Sequence, residues 1–461
     1  MIPGVYIEKG PQDWQVIQQK DGAADIVLSG LKVNPGEEGG NVYARVTDEE
    51  SGLPIAPWQK ADREDDASWS LVLRGIPAGG LYRVETCLKQ KNQVDIEWSR
   101  RGDMIHHIGI GDVYVIAGQS NAAGYGKDFV YDPPEPGIHL LRNSGKWDMA
   151  SHPFNDSTHT VHGANSEGAN PGHSPYLAFA RRLKKTLRYP IGLMQASLGG
   201  SPLSAWNPEE DGTLYRNMLD IIASAGGKVK GILWYQGCSD TGDPRLFNTY
   251  GDRFSAMVAH LRNDLQNPCL PVLTVQLSRC TEPENRALER EGWSAVREAQ
   301  RIAAQKIENV FVISSLDVVL SDHIHISAAG NLTLGDRLAA AALKGIYALP
   351  FGYGVPALSG VEKTGKDTLC LVFENVYDRL FTYDAVAAAL PFEVLDNRGV
   401  LPVSGYEVRL NTLTLHLDRP LGEDIYISGG VGKNPEGIMP IDMETHAPIL
   451  PFYRFPVKYS P

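Results

Sequence analysis

Between residues 111 and 344 the chain alternates five times between a short, continuously apolar run and an amphipathic stretch of helical period. The runs cover 113–117, 191–196, 231–235, 272–277 and 310–314. Each is too short for a buried helix and lacks polar alternation, so it reads as a strand covered on both faces. Helices are expected over 175–187, 214–225, 249–264, 294–306 and 328–343. Ser174 before Pro175, and Ser327 before Ala328, are residues of the kind that cap a helix N-terminus. Strand then helix, repeated, implies a parallel sheet built by right-handed crossovers. Ligands of such a sheet bind beyond the carboxyl ends of its strands, so the strand ends are where chemistry is expected.

On both sides of this region the texture is β-rich. Short strands are expected around 24–28, 41–46 and 69–73, broken by Asn34-Pro35-Gly36 and Ala78-Gly79-Gly80, and again around 368–373, 392–395, 412–417 and 424–428. The expected organisation is a β-sandwich-like domain over 1–109, an α/β domain over 110–348 and a β-rich domain over 349–461, the last packed with the first or separate from it. A length of 461 residues accommodates this division. Against 43 Lys and Arg stand 55 Asp and Glu, and no basic block offsets the net charge of −12. Such a surface repels polyanions, so nucleic acid is not an expected partner. No run of 18 apolar residues occurs, so no transmembrane helix and no membrane partner are expected. The first residues lack a basic segment followed by an apolar one, which sets the expectation of a cytoplasmic protein. The five cysteines form no C-x-x-C pair, which supports neither a zinc ribbon nor a dithiol redox centre.

Four of the strand ends carry candidate groups. After the first lies Gly118-Gln119-Ser120-Asn121, where a serine on a tight turn either projects its hydroxyl over the sheet edge or caps the next helix. After the second comes Leu198-Gly199-Gly200-Ser201, whose glycines let the backbone approach a ligand and aim an N–H at it, or simply turn. Trp206 follows, a sugar-stacking face or a core residue. The third ends in Trp234-Tyr235-Gln236-Gly237-Cys238. Gln236 is a candidate donor to an oxyanion, and Cys238 raises thiol catalysis against a small core cysteine. After the fifth, Asp322-His323-Ile324-His325 stands just before a helix. There one loop can supply a base and the carboxylate that holds its tautomer. A metal pair at His323 and His325 finds no third ligand of suitable spacing, so neither a metal nor a cofactor is expected. In chain order these elements are serine, glycine, glutamine, aspartate and histidine, which together point to a serine hydrolase.

With those blocks on the page, the sequence resembles the SGNH hydrolase superfamily, in its sialate O-acetylesterase and acetyl xylan esterase branch. The resemblance implies a flavodoxin-like, three-layer α/β/α domain with a parallel sheet, flanked by N- and C-terminal β-rich domains. It implies removal of O-acetyl groups from a sugar, with sialic acids and acetylated hemicellulose fragments both open. Under it Ser120 is the nucleophile, His325 the general base and Asp322 its orienter. The N–H groups of Ser120 and of Gly200 or Gly199, with the Gln236 side chain, form the oxyanion hole. Gln119, Asn121, Trp206 and Trp234 are the expected substrate-binding residues. One departure is plain: the branch usually reads Gln-Gly-Glu where this chain has Gln236-Gly237-Cys238. That leaves a degenerate, sugar-binding role as an alternative. A lipase or thioesterase reading fits poorly, because the loop residues His162, Asn165, Glu167, Asn170 and His173 are polar.

Overall fold

The structure is a computed structural model describing residues 4–33, 39–169, 171–284, 287–383 and 390–457. The expected break at Asn34-Pro35-Gly36, the loop residue Asn170 and the first three residues lie outside this set.

The central sheet contains β1 (Arg100–Gly118), β2 (Ile138–Leu141), β3 (Trp147–Met149), β4 (Ile191–Gln195), β5 (Gly231–Tyr235), β6 (Val272–Val275) and β7 (Val310–Ile313). Their order is β3-β2-β4-β1-β5-β6-β7. All neighbours are parallel except the short β2–β3 hairpin. With that hairpin set aside, the remaining five follow the 2-1-3-4-5 order of flavodoxin-like folds, whose switch point lies beside the first strand. Every residue of β4, β5 and β6 is buried, so both faces are covered, as their unbroken apolar character requires.

The covering helices follow the strands: α1 (Ser120–Ala123), α2 (Tyr176–Leu187), α3 (Thr213–Ser224), α4 (Tyr250–Asp264), α5 (Ala287–Lys306) and α6 (Ala328–Gly345). Ser327 caps α6 as expected, its hydroxyl accepting from the Gly330 N–H at 2.9 Å. Ser174 does not cap α2. Pro175 occupies the cap position, and the Ser174 hydroxyl has no hydrogen-bond partner among the described residues. β2 is not among the strands expected from the sequence, because His139 interrupts its apolar run. Among the described residues no helix is long and apolar enough to cross a membrane.

The first half of β1 belongs to the N-terminal β region. There it pairs with strand Gly79–Gln90, which in turn pairs with Gly40–Asp48. The boundary expected between 109 and 110 therefore falls inside one continuous strand. Between these strands and a separate four-stranded sheet (Gly4–Lys9, Ala23–Val33, Ser68–Pro77 and Arg63–Glu64) lies a second apolar cluster. The C-terminal strands form two four-stranded antiparallel sheets and a two-stranded ribbon around a third cluster. Arg297 of α5 fastens this region to the central sheet. It is fully buried and donates to the carbonyls of Leu277, Ser278, Gly430, Gly432 and Lys433.

Candidate active site

The carboxyl ends of β1, β4, β5 and β7 converge on a cleft of about 480 Å³ lined by Gln119, Ser120, Tyr125, Glu167, Gly200 and His325 among others. Gly118 makes the turn that brings Ser120 there. Its φ is +126°, and a Cβ would sit 2.2 Å from the Tyr235 carbonyl oxygen, so only glycine fits between β1 and β5. Gln119 is extended and Ser120 opens α1.

His325 reaches Ser120 from the loop after β7, with Nε2 2.9 Å from the serine Oγ and Nδ1 2.7 Å from Asp322 Oδ2. The other Asp322 oxygen accepts the N–H groups of Ile324 (2.8 Å) and His325 (2.7 Å), closing the loop on itself. Partial burial pushes the Asp322 pKa up. The hydrogen bonds from Ile324 and from the His325 ring and backbone outweigh that and hold it at about 2. Tyr125 stacks on the imidazole, centroid to centroid 4.7 Å. The three residues expected to form a triad are thus brought together in hydrogen-bonded sequence.

Two of the expected donors stay open to a ligand. Ser120 and Gly200 both line the cleft, and neither N–H has an acceptor among the described residues. Gly200 has φ +68° with open space where a Cβ would stand, which leaves its backbone approachable. Gly199 does not serve: its N–H donates to Glu167 Oε2 at 2.8 Å. Gln236 does not serve either. It is fully buried, and its Nε2 donates to Asp240 Oδ2 (2.6 Å) and the Ser201 carbonyl (3.2 Å), while Oε1 accepts from Tyr250. Its amide turns into the core to satisfy a buried carboxylate, away from the cleft.

The expected sugar-binding residues divide. Gln119 lines the cleft, and its Oε1 accepts from the Gly237 N–H (2.9 Å), joining the β1 and β5 loops. Asn121 is buried and binds the backbone on either side of His325. Its Nδ2 donates to the Ile324 carbonyl (3.2 Å) and its Oδ1 accepts from the Ile326 N–H (3.0 Å). Trp206 and Trp234 are core residues packed edge to face at 5.3 Å, with Trp206 Nε1 donating to Ser201. Neither offers a face to a sugar. Cys238 lines the cleft, but burial, with the nearby Cys280 adding, pushes its thiol up to about 12, so it is protonated near neutrality.

Two cleft residues were not anticipated as functional. Tyr125 lies in the glycine-rich turn after Ser120, where its type alone says nothing of stacking on His325. Glu167 comes from a long loop and meets Gly199 only through the fold. A further cluster, Asp132, His152 and His173, brings three ligand atoms within 4.8 Å, a set able to hold a metal ion. As bonded here it is a clamp: Asp132 accepts from both imidazole Nε2 atoms (3.1 and 3.0 Å) and from Arg181 (2.6 Å). His323, considered beforehand as a ligand, instead pairs with Glu282.

Comparison with known proteins agrees with this geometry. The family described as "Carbohydrate esterase, sialic acid-specific acetylesterase" matches residues 110–344. A probable carbohydrate esterase of Arabidopsis thaliana is 31% identical over 253 residues, covering 50% of this chain and 90% of the relative. The human sialate O-acetylesterase is 24% identical over 238 residues, and the match spans 42% of each protein. In three dimensions a carbohydrate acetylesterase from Xanthomonas citri aligns with TM-score 0.65 at 19% identity, over 96% of this chain and 98% of its own, which shows a shared fold. The α/β core, the strand-end blocks and a family match across half the chain agree, and the chain belongs to the sialic acid-specific acetylesterase family of carbohydrate esterases.

Proposed function

We propose that this esterase removes O-acetyl groups from a sugar through an acyl-enzyme formed on Ser120. The observation that carries the reading is the unbroken chain Ser120 Oγ–His325 Nε2–His325 Nδ1–Asp322 at 2.9 and 2.7 Å. A neutral serine needs a base to attack near pH 7. In the first half-reaction His325 Nε2 takes the Oγ proton as Oγ bonds to the acetyl carbon. The carbonyl electrons move onto oxygen, which the Ser120 and Gly200 N–H groups face. Collapse expels the sugar oxygen, which takes the proton from His325, and acetate is left esterified to Ser120. Water then repeats the sequence and releases acetate. Asp322 stays ionised throughout and stabilises the imidazolium.

The test is acetate release from acetylated sialic acid and acetylated xylo- and manno-oligosaccharides, with Ser120→Ala alongside. A serine-directed phosphonate should add its mass to the wild type at Ser120 and leave the variant unmodified. Correctly folded protein that takes no adduct and releases no acetate would refute the reading and favour a binding role.

A further inference from the structure

The cleft around Ser120 has a charge pattern that the triad does not account for. Among the described residues that line it, Glu167 is the sole carboxylate, and none is an arginine or lysine. Lys127 holds its ammonium 5.2 Å from the centre of the Tyr125 ring without lining the cleft itself. The Glu167 carboxylate is fixed in place. Oε2 takes the Gly199 N–H (2.8 Å), Oε1 takes the Ala169 N–H (3.4 Å), and the Tyr125 hydroxyl is hydrogen-bonded to it. A Cβ on Gly199 would meet its oxygens at 2.9 and 3.1 Å, so it packs directly on the glycine turn beside the oxyanion donor Gly200.

An ionised carboxylate has about four acceptor sites, so these partners leave Glu167 able to accept from a ligand. The donors a sugar brings are its hydroxyls, and a charged acceptor makes the stronger bond. A sugar bearing its own carboxylate meets a like charge instead, on a protein whose net charge is already −12.

Resting on the acetyl-transfer reading above, we infer that Glu167 is a specificity-determining residue that biases this cleft toward O-acetyl groups on neutral sugars and against acidic ones. The residue thereby places a carboxylate in the cleft that Ser120 lines.

The experiment uses matched substrates that differ only in charge: 9-O-acetyl sialic acid and its C1 amide, with acetate release measured at low and high salt. At low ionic strength the wild type should favour the amide about three- to tenfold in kcat/KM, the range expected for like charges in an open cleft. Raising the salt should shrink that ratio, and Glu167→Gln should bring it close to one. Should neither sugar be turned over, the same ratio is read on 4-acetoxybenzamide and 4-acetoxybenzoate. A wild-type ratio below about twofold, or one that Glu167→Gln leaves unchanged, overturns the inference. If Glu167→Gln misfolds, Glu167→Ser removes the same charge and gives the same reading, while the salt dependence of the wild type alone does not separate Glu167 from the net charge of −12. Absence of any turnover, including of 4-nitrophenyl acetate, would overturn the underlying reading and this one with it, and so separates the two failures.

Discussion

Replacing Asn121 by alanine removes the side chain that grips the backbone on both sides of His325. Two groups lose their partner: the Ile326 N–H, now 3.0 Å from Oδ1, and the Ile324 carbonyl, now 3.2 Å from Nδ2. Each buried polar group left unsatisfied costs about 1–3 kcal/mol. If roughly 1.4–2.8 kcal/mol of that is felt as displacement of Nε2 from the Ser120 hydroxyl, the rate falls about ten- to a hundredfold. The loss should appear in kcat with KM nearly unchanged, because Asn121 is buried behind His325 and spends its amide on the loop backbone. Asn121→Asp keeps an acceptor for Ile326 but sets a buried carboxylate oxygen against the Ile324 carbonyl, so its loss should be at least as large. Steady-state kinetics on 4-nitrophenyl acetate and on an acetylated sugar, with a melting curve for each variant, make the check. A rise in KM at constant kcat would mean that Asn121 binds substrate after all. Activity within twofold of wild type would refute the positioning argument.

Asp322→Asn should lower kcat by about 10⁴, since the amide holds the wrong imidazole tautomer; stopped assays at high enzyme concentration would read the residue. Because the Asp322 pKa is held at about 2, the acid limb of a kcat/KM profile between pH 4 and 7 should not report this carboxylate. Its lowered pKa contributes stability that is present above pH 4 and lost as pH falls toward 2. Gln236→Ala should act mainly on stability, lowering it by about 1–3 kcal/mol, since the Ser201 carbonyl loses its Nε2 donor while Asp240 keeps Arg253 and the Leu203 N–H, and Tyr250 keeps the Gln236 carbonyl. The loss of 10²–10³ in kcat expected of an oxyanion donor should be absent; denaturant melts beside kinetics distinguish the two. His139 is fully buried, and burial lowers its pKa to about 4. Unfolding free energy should therefore be undiminished above pH 6.5 and decline by about 3 kcal/mol as pH falls to 4, a slope that His139→Leu should flatten.

What could be read in advance and what could not follow from the range of the interactions. The five doubly covered strands are local facts of apolar runs, and they put Ser120, Gly200 and the Asp322–His325 loop at one edge of one sheet. The same reasoning, carried one step further, places Trp234 in the core: it lies in β5, whose every residue is buried. Trp206 follows it because the two rings pack together. Gln236 was misread because the direction of its amide is decided by Asp240 and Tyr250, a turn and a helix further on. Glu167 had no signal at all, since its partners Gly199 and Tyr125 lie 32 and 42 positions away and meet it only when the sheet forms.

The braces around the cleft explain why buried polar side chains stand where apolar ones would pack as well. Loops at a strand edge carry backbone N–H and C=O groups that the ladder no longer satisfies, and burying them unpaired is costly. Here the side chains beside the nucleophile meet that need across strands. Gln119 holds the loop after β5 through Gly237, Asn121 holds the loop after β7 through Ile324 and Ile326, and Glu167 holds the loop after β4 through Gly199. Two of these braces flank Ser120 directly, so the turn that presents the hydroxyl also sets the height of the histidine and the position of the loop after β5. An apolar residue at 119 or 121 could fill the same volume but would leave those loops free to shift independently of Ser120. Catalysis of this type depends on pre-set distances of about 3 Å, and the adjacent pair Ser120-Asn121 fixes one of them, the serine–histidine distance, within two residues of chain.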